Sequence, residues 1–166
     1  VQPDSAFLAS KARAAWGIAH IARLQDDLPL AERFYGRALD YEMRANRAHG
    51  KASVMFGMAL TDIAYARRAK AAANSEEETS RLARAENWLS KSFAIAQAND
   101  LVFHINMALV GFAQLSLLRG DKQASCEYIP RAEAPLHKHQ VALSVVSPEV
   151  RRMTNETGCP FKIANK

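Results

Sequence analysis

Alanine is the feature that most restricts what this chain can fold into. Of 166 residues, 31 are alanine, whereas glycine occurs 7 times and proline 6 times. Alanine is the residue that a helical backbone penalises least, and glycine and proline are the two that it penalises most. The sequence therefore predicts an all-α protein. Apolar residue types make up 49% of the chain, which suffices for one compact domain with a continuous core.

Charge is spread evenly along the chain. The formal net charge is +5 and the isoelectric point is near 9.4. Residues 1–50 hold seven Lys/Arg against six Asp/Glu, and residues 51–100 repeat that ratio. Nucleic-acid binding usually leaves a basic arm or cluster, which this distribution does not show. Charged residues also interrupt every apolar stretch well before the roughly 20 residues that cross a bilayer. We therefore expect no nucleic-acid partner and no membrane span.

Apolar or small residues recur every three or four positions, which is the spacing of amphipathic helices. The first predicted helix runs from Ser5 to Leu24 and has Phe7 and Ile18 on its packing stripe. Short polar segments separate it from the next helices. The remaining predicted helices are Leu28 to His49-Gly50, Val54 to about Ala73, Ser75 to Asn99, Leu101 to Arg119, and a sixth that begins at Lys122.

Three local signals refine these boundaries. Ser75 followed by Glu78 has the form of a capping box at the start of the fourth helix. Pro130 lies inside the sixth apolar pattern and predicts a kink or an early end there, because proline removes one intrahelical hydrogen bond. After Pro135 the pattern weakens, so residues 137–139 are predicted to form a loop.

The C-terminal part is predicted to be a tail. Ser147-Pro148-Glu149 is a helix start signal, which indicates a short final helix to about Glu156. The sequence thus divides into a helical domain over residues 1–140 and a tail with a short capping helix over residues 141–166.

Two segments about ninety residues apart share one pattern of small and large residues. The first contains Ala19, Ala31, Tyr35 and Ala38, at successive separations of twelve, four and three residues. Four residues of the second segment have the same separations. The second set is Ala113, Ser125, Ile129 and Ala132. This pattern resembles the tetratricopeptide repeat, a helix-turn-helix unit of 34 residues with small residues where its helices cross.

In the middle of the chain the match is confined to one helix, through Ala85, Leu89 and Ser92. Taking Ala31, Ala85 and Ser125 as equivalent gives spacings of 54 and 40 residues. These are longer than the family standard and closer to the roughly 40-residue variants of some bacterial regulators of the same superfamily.

The resemblance implies a right-handed solenoid of three antiparallel helical hairpins, closed by the short C-terminal helix. Members of the family stack their hairpins because one hairpin cannot bury its apolar face alone. Their first helices line a concave groove, and that groove commonly holds a peptide or a partner helix. The resemblance covers residues 11 to about 134.

The residues that match the groove-lining positions of the family form a basic and aromatic strip on the first helix. They are Arg13, Trp16, His20 and Arg23. Such a strip suits an acidic peptide, through charge-assisted hydrogen bonds and stacking. The alternative is that both arginines face solvent and the indole packs against a neighbouring helix. In the third hairpin the matching strip is mostly apolar, and its residues are Met107, Val110, Gly111, Gln114 and Leu117.

No signature of catalysis or of a bound cofactor occurs in the sequence. The motifs for nucleotide binding, zinc proteases and serine hydrolases are missing, and His104 faces no identifiable nucleophile. The histidines at 137 and 139 are too few to indicate a metal. We expect no enzyme, no cofactor and no metal site.

Cys126 and Cys159 stand outside any C-x-x-C pair. A disulfide between them would tie the tail to the last large helix, and it requires an oxidising compartment. The cytoplasm is slightly favoured, and a periplasmic or secreted location follows if a signal peptide was removed.

The sequence-based hypothesis is a non-catalytic adaptor or scaffold that binds a protein or peptide in a concave helical groove. The bound protein or peptide would be acidic if the basic strip contacts it. The binding residues would be Arg13, Trp16, His20, Arg23 and Gln114. One alternative is a regulatory or sensor domain that binds a small ligand or a signalling peptide. A second alternative is a homo-oligomeric structural module.

Overall fold

The computed structural model describes residues 4–138 and residue 159, and within this part the chain folds into six α-helices without a strand. The all-α prediction is therefore confirmed for the described residues. No helix among them is long and apolar enough to cross a membrane. The helices are α1 (Ser5–Leu24), α2 (Leu28–Arg44), α3 (Ala48–Ala71), α4 (Ser75–Ala98), α5 (Val102–Leu118) and α6 (Lys122–Lys138).

Each connection between successive helices is three residues long and is built in the same way. Its last residue donates its backbone N–H to the carbonyl five positions earlier, as Asp27 does to Ala22 at 2.9 Å. This hydrogen bond gives a partner to one of the carbonyls that have none within the end of the helix. The chain can form it only if the residue before the donor adopts the left-handed conformation. The middle residue of every connection has that positive φ, and these residues are Asp26, Asn46, Ala73, Asp100 and Gly120.

The first, third and fifth connections also carry a side-chain cap. Asp27, Asn74 and Asp121 each accept a hydrogen bond from the backbone N–H three residues further on, at 3.1, 3.1 and 2.9 Å. Arg47 and Leu101, at the same place in the other two connections, accept none. The three caps follow one another at intervals of 47 residues, so the connections alternate with a period of two helices.

Burial follows the same interval of 47 residues. Alanines stand at matching places in the three odd-numbered helices, and Ala19, Ala66 and Ala113 are completely buried. Because alanine adds only a methyl group, it lets neighbouring helices approach closely. The even-numbered helices repeat this with Ala38, Ala85 and Ala132, which are at most 2% exposed.

Contacts between the helices follow the connections. The most extensive packing joins α1 to α2, α3 to α4 and α5 to α6, which are the pairs with a capped connection. Less extensive contacts join α2 to α3 and α4 to α5, and α3 also contacts both α1 and α5. The three odd-numbered helices consequently lie side by side, and their shared surface is where the candidate site lies.

The structure relates the middle of the chain to the first hairpin in two ways. Counted from the capped turns, the residue equivalent to Ala31 and Ser125 is Glu78, at intervals of 47 residues, and Ala85 corresponds to Ala38. Counted from the turns that follow, at Asn46 and Asp100, Ala85 corresponds to Ala31, as in the sequence-based pairing. The two counts differ because α4 is 24 residues long and α2 is 17.

The predicted end of the second helix at His49-Gly50 is wrong. The helix ends at Arg44, and Asn46 takes up the left-handed conformation with φ 51°. Asparagine tolerates that conformation better than most residues. Gly50 lies inside α3, where a Cβ atom would overlap the carboxyl group of Glu42. This glycine therefore serves a close contact and not a helix end.

Three further predictions near helix ends are wrong in whole or in part. The cap of α4 is Asn74, so Ser75 and Glu78 do not form the expected box. The sixth helix does not end early at Pro130 but runs to Lys138, which includes residues 137 and 138 of the predicted loop. Ile129 and Ala132 are buried on either side of the proline, so the helix packs against its neighbours both before and after it. The predicted helix over residues 147–156 lies outside the described residues, as does residue 139.

The packing stripe predicted for the first helix is partly wrong. Phe7 and Ile18 are 55% and 43% exposed, whereas the buried stripe consists of Leu8 and four alanines. The helix carries apolar residues on two sides, and the side with the smaller residues packs. Its exposed apolar side also includes Ile21 and Leu24.

Candidate functional site

A cavity of about 430 Å³ lies where α1, α3 and α5 face one another. Tyr35 of α2 forms part of its wall and is 1% exposed. The cavity combines an aromatic and aliphatic wall with a few polar side chains, which is the usual composition of a ligand site. We call it the central cavity. Its other lining residues are Trp16, His20 and Arg23 of α1; His49, Ser53, Phe56, Gly57 and Leu60 of α3; and Phe103, His104, Asn106, Met107, Val110 and Gln114 of α5.

Four of the five binding residues expected from the sequence line the central cavity. Trp16, His20 and Arg23 stand on one wall, and Gln114 stands on another. Arg13 lies outside and lines a neighbouring recess of about 200 Å³ between α1 and α3. The structure thus brings most of the expected residues together, although the sequence placed them in two separate hairpins.

Only part of the apolar strip expected on the fifth helix lines the central cavity. Met107 and Val110 line the central cavity, as Gln114 does. Gly111 faces another way, because a Cβ atom there would overlap the side chain of Leu89. It therefore serves the close packing of α5 against α4.

The α1 wall of the cavity is an ordered stack of side chains. The rings of Trp16 and His20 are stacked, with centroids 5.1 Å apart and planes 8° apart. Arg23 lies beside the Tyr35 hydroxyl, where burial raises the pKa of the tyrosine and the guanidinium opposes that rise. Trp16 Nε1 and Arg23 Nε are buried, and neither finds an acceptor in the described part of the chain. This wall therefore holds two N–H donors that no described residue satisfies.

A cluster of imidazole and hydroxyl groups from α3 and α5 also lines the cavity. Ser53 Oγ and His104 Nε2 are 2.7 Å apart, and the His49 ring meets the His104 ring edge-on at 4.4 Å. The expectation that His104 faces no nucleophile is therefore wrong. His104 is 5% exposed, and burial, with the neighbouring His49 as a second cause, lowers its pKa from 6.5 to about 4.

Among the described residues, the serine and histidine lack the other groups of a hydrolase centre. No carboxylate of the described residues contacts His104, so nothing of that kind orients the ring or stabilises its cation. Ser53 sits within α3, where backbone N–H groups bond to the preceding turn and do not form an oxyanion hole. An imidazole with a pKa near 4 is also a weak base at neutral pH.

Sequence reasoning missed the α3 wall and the start of the α5 wall. These residues look like ordinary core positions, because aromatic and aliphatic side chains at helical spacing usually pack. The interval of 47 residues was the available signal. It pairs Arg13 with Leu60 and Met107, so that two of these three residues line the central cavity and the third lines the adjoining recess.

A second polar cluster lies away from the cavity and joins α2, α3 and α4. Asp62 is 2% exposed, and its carboxylate lies 2.9 Å from Arg81 and 3.4 Å from Arg84. Both arginines also pair with Glu32 of α2. Burial raises the pKa of Asp62, and the Arg81 hydrogen bond opposes that rise. Arg81 also covers the ring of Tyr65 at 3.8 Å. These contacts fix three helices to one another.

Within residues 4–138 and at residue 159, no group of three side chains is arranged to hold a metal ion. Comparison of the chain with family models, with curated proteins and with solved structures found no match.

Proposed function

We propose that this chain is a non-catalytic binding module that holds a protein segment or peptide in a groove between α1, α3 and α5. The observation that carries the proposal is the central cavity, which gathers residues from all three helices at the place expected for a groove. Its volume of about 430 Å³ falls in the range of known ligand sites, roughly 300–1,000 Å³. One or two anchoring side chains of a bound segment would fill it.

The regular spacing of the turns supports a repeat architecture. Capped connections at intervals of 47 residues, and pairs of helices joined by them, are what stacked helical hairpins require. The proposed arrangement is a right-handed solenoid of the tetratricopeptide type with long helices. In such a stack the first helix of each hairpin faces the groove, in agreement with the helices that line the cavity.

One alternative function has an observation in its favour. The central cavity is walled on several sides and is largely apolar, so it also suits a small ligand, and the domain would then act as a sensor.

A homo-oligomer is the other alternative. Ile18, Ile21 and Leu24 expose between 43% and 66% of their surface on one side of α1. Such a stripe suits contact with a second copy. A measured mass above the 18.3 kDa of one chain would favour self-association.

The disulfide bears on the compartment. Cys126 of α6 and Cys159 are bonded to each other. Because disulfides persist mainly in oxidising surroundings, we place the working form of the module outside a reducing cytosol. Alkylation of free thiols in protein taken directly from its host checks this, since a reactive cysteine pair would contradict it.

The binding function is tested by affinity capture of partners from a native lysate, with the wild type and two variants of equal charge change as bait. The groove variant carries Arg13→Glu, His20→Ala and Arg23→Glu. The control variant carries Arg33→Glu and Arg37→Glu, which change exposed arginines of α2 away from the cavity. Each partner captured by the wild type is then purified, and its affinity for all three proteins is measured by calorimetry.

We expect the groove variant to lose affinity by more than about tenfold, since charge-assisted hydrogen bonds contribute about 1.5–3 kcal/mol each. The control variant should bind as the wild type does. Equal affinity of all three proteins would refute the groove as the binding surface. Circular dichroism of each variant confirms that the helices are intact.

A further inference from the structure

We propose that the central cavity selects a ligand in which an apolar group carries one anionic group, such as a carboxylate beside an aromatic or aliphatic body. This inference rests on the proposed function, because it names the chemistry of what the groove holds. The source of that chemistry is either an acidic residue beside a hydrophobic one in a peptide or a free small carboxylate.

The charges around the cavity favour an anion. Among the described residues that line it, Arg23 is the one side chain that is charged at every working pH, and no Asp or Glu lines it. No carboxylate of the described residues forms an ion pair with Arg23 either. His104 stays neutral at pH 7 because its pKa is about 4. A cation in such surroundings gains most from a ligand that brings a negative charge.

The adjoining recess adds to this preference. It is lined by Arg13 and Arg47, against the single carboxylate of Glu42. Arg47 and Glu42 pair at 3.7 Å. The recess therefore has two arginines and one carboxylate, which leaves one excess positive charge. Trp16, His49 and Ser53 line both the recess and the central cavity, so the arginines of the two spaces surround one continuous region.

The unsatisfied donors of α1 favour a ligand with an acceptor oxygen. A buried N–H without a partner is destabilising, because it has lost its hydrogen bond to water. Trp16 Nε1 and Arg23 Nε are in that state, and both side chains line the central cavity. A ligand carboxylate that reaches these side chains would supply the missing acceptor.

The apolar part of the ligand is favoured by the walls that α3 and α5 supply. Phe103 is a large apolar side chain that lines the cavity and remains 48% exposed. Contact with a ligand would remove that surface from water. The apolar side chains that would contact the ligand are Phe56, Leu60, Phe103, Met107 and Val110.

Two sets of probes test the proposal on the full chain. The first set is three acetylated and amidated pentapeptides with one central phenylalanine flanked by glutamate, glutamine or lysine. The second set is 4-phenylbutyrate, its amide and 4-phenylbutylamine, which share one apolar body. Affinities are measured by calorimetry for the wild type, Arg23→Met, Arg23→Lys and the matched exposed change Arg37→Met.

We expect the anionic member of at least one set to bind about tenfold or more tightly than its neutral and cationic counterparts. Arg23→Met should abolish that preference, whereas Arg23→Lys and Arg37→Met should keep most of it. Melting curves of the variants show whether Arg23→Met remains folded. Trp16→Phe, which keeps an aromatic ring but removes the N–H, should weaken binding of the anion by about tenfold and binding of the amide by less, since the hydrogen bond to a charged acceptor is the stronger one.

The outcomes separate this inference from the proposed function. Peptides that bind without regard to charge would overturn the ligand chemistry and leave the peptide groove standing. Binding of 4-phenylbutyrate without any peptide would support the ligand chemistry and refute the peptide groove in favour of a small-molecule sensor. If no probe of either set binds, or if Arg23→Met keeps the preference, the inference is wrong.

Discussion

His104 is a residue whose protonation is coupled to folding. It lies buried between Ser53 and His49, with a folded pKa of about 4 against 6.5 in the unfolded chain. The unfolded chain therefore binds more protons between those two values. By linkage, the stability that the neutral ring provides is present above pH 6.5 and is lost as the pH falls towards 4.

We expect the free energy of unfolding to fall by about 2 kcal/mol between pH 7 and pH 4.5 through this residue, since each pKa unit is worth about 1.4 kcal/mol before solvent screening. Urea unfolding of the wild type and His104→Gln over that range measures it. The buried carboxyls of Glu42 and Asp62 have raised pKa values, which act in the opposite direction. They are present in both proteins, so the difference between the two curves isolates His104. Parallel curves would contradict the assignment.

Two glycines in helices differ in what surrounds them. A Cβ atom at Gly57 would overlap the ring of Tyr35, which is 1% exposed and therefore held in place. At Gly17 nothing lies within 4 Å of the same atom. We expect Gly57→Ala to destabilise the protein by about 2 kcal/mol through overpacking. Gly17→Ala should stabilise it by up to about 1 kcal/mol through helix propensity.

Thermal and urea unfolding of both glycine variants decide the point. The two substitutions add the same methyl group to a helix, so each is the control of the other. If Gly57→Ala stabilised the protein, the Tyr35 ring would have to move aside. The cavity wall would then be more mobile than the structure shows.

At the scale of the helix, the connections hold most of the information that sequence reasoning lacked. Existence and type of all six helices were predictable, because the three-to-four spacing of apolar residues is strong and prolonged. The end of α2 was not, since Asn46 in a left-handed turn looks no different from a polar residue within a helix. Gly50 gave a clearer stop signal but is used for contact with Glu42.

Ala73 shows what the shared turn demands of its middle residue. It has φ 56°, a conformation that costs an alanine roughly 1–2 kcal/mol and a glycine almost nothing. We expect Ala73→Gly to stabilise the protein by about 0.5–1 kcal/mol, with the added flexibility of glycine offsetting part of the gain. The preceding Ala72 has φ −86°, so Ala72→Gly should destabilise it by a similar amount.

Gly120 provides the reverse change, because it has φ 83° at the equivalent position. Gly120→Ala should cost about 1 kcal/mol. Chemical denaturation of the three variants measures the set. If Ala73→Gly and Ala72→Gly destabilise equally, the left-handed turn is not a source of strain.

At the scale of the whole molecule, the disulfide ties residue 159 to the last described helix. Cys159 is 8% exposed and packs in a cluster with residues of α5 and α6. The sequence alone does not show whether the two cysteines form a disulfide, because that depends on whether the fold brings them close together. The candidate cavity lay beyond sequence reasoning for the same reason, as its walls come from three helices far apart along the chain.

We expect loss of this disulfide to destabilise the protein by about 2–4 kcal/mol, because the bond restricts the unfolded chain. The measurement compares melting temperatures with and without reductant for the wild type and for Cys126→Ala/Cys159→Ala. Reductant should lower only the melting temperature of the wild type. Hydrogen exchange should place the loss of protection mainly in α5 and α6. Equal melting of reduced and oxidised wild type would contradict this.

The interval of 47 residues between capped turns also sets a rule for how the length of this chain can change. A gain or loss of that length at a capped turn keeps the spacing of the capped turns and of the buried alanines. A single residue inserted within a helix would instead turn the buried alanines that follow it by about 100° away from the packed face. The natural unit of gain or loss in this part of the chain is therefore the pair of helices, not the single helix or the single residue.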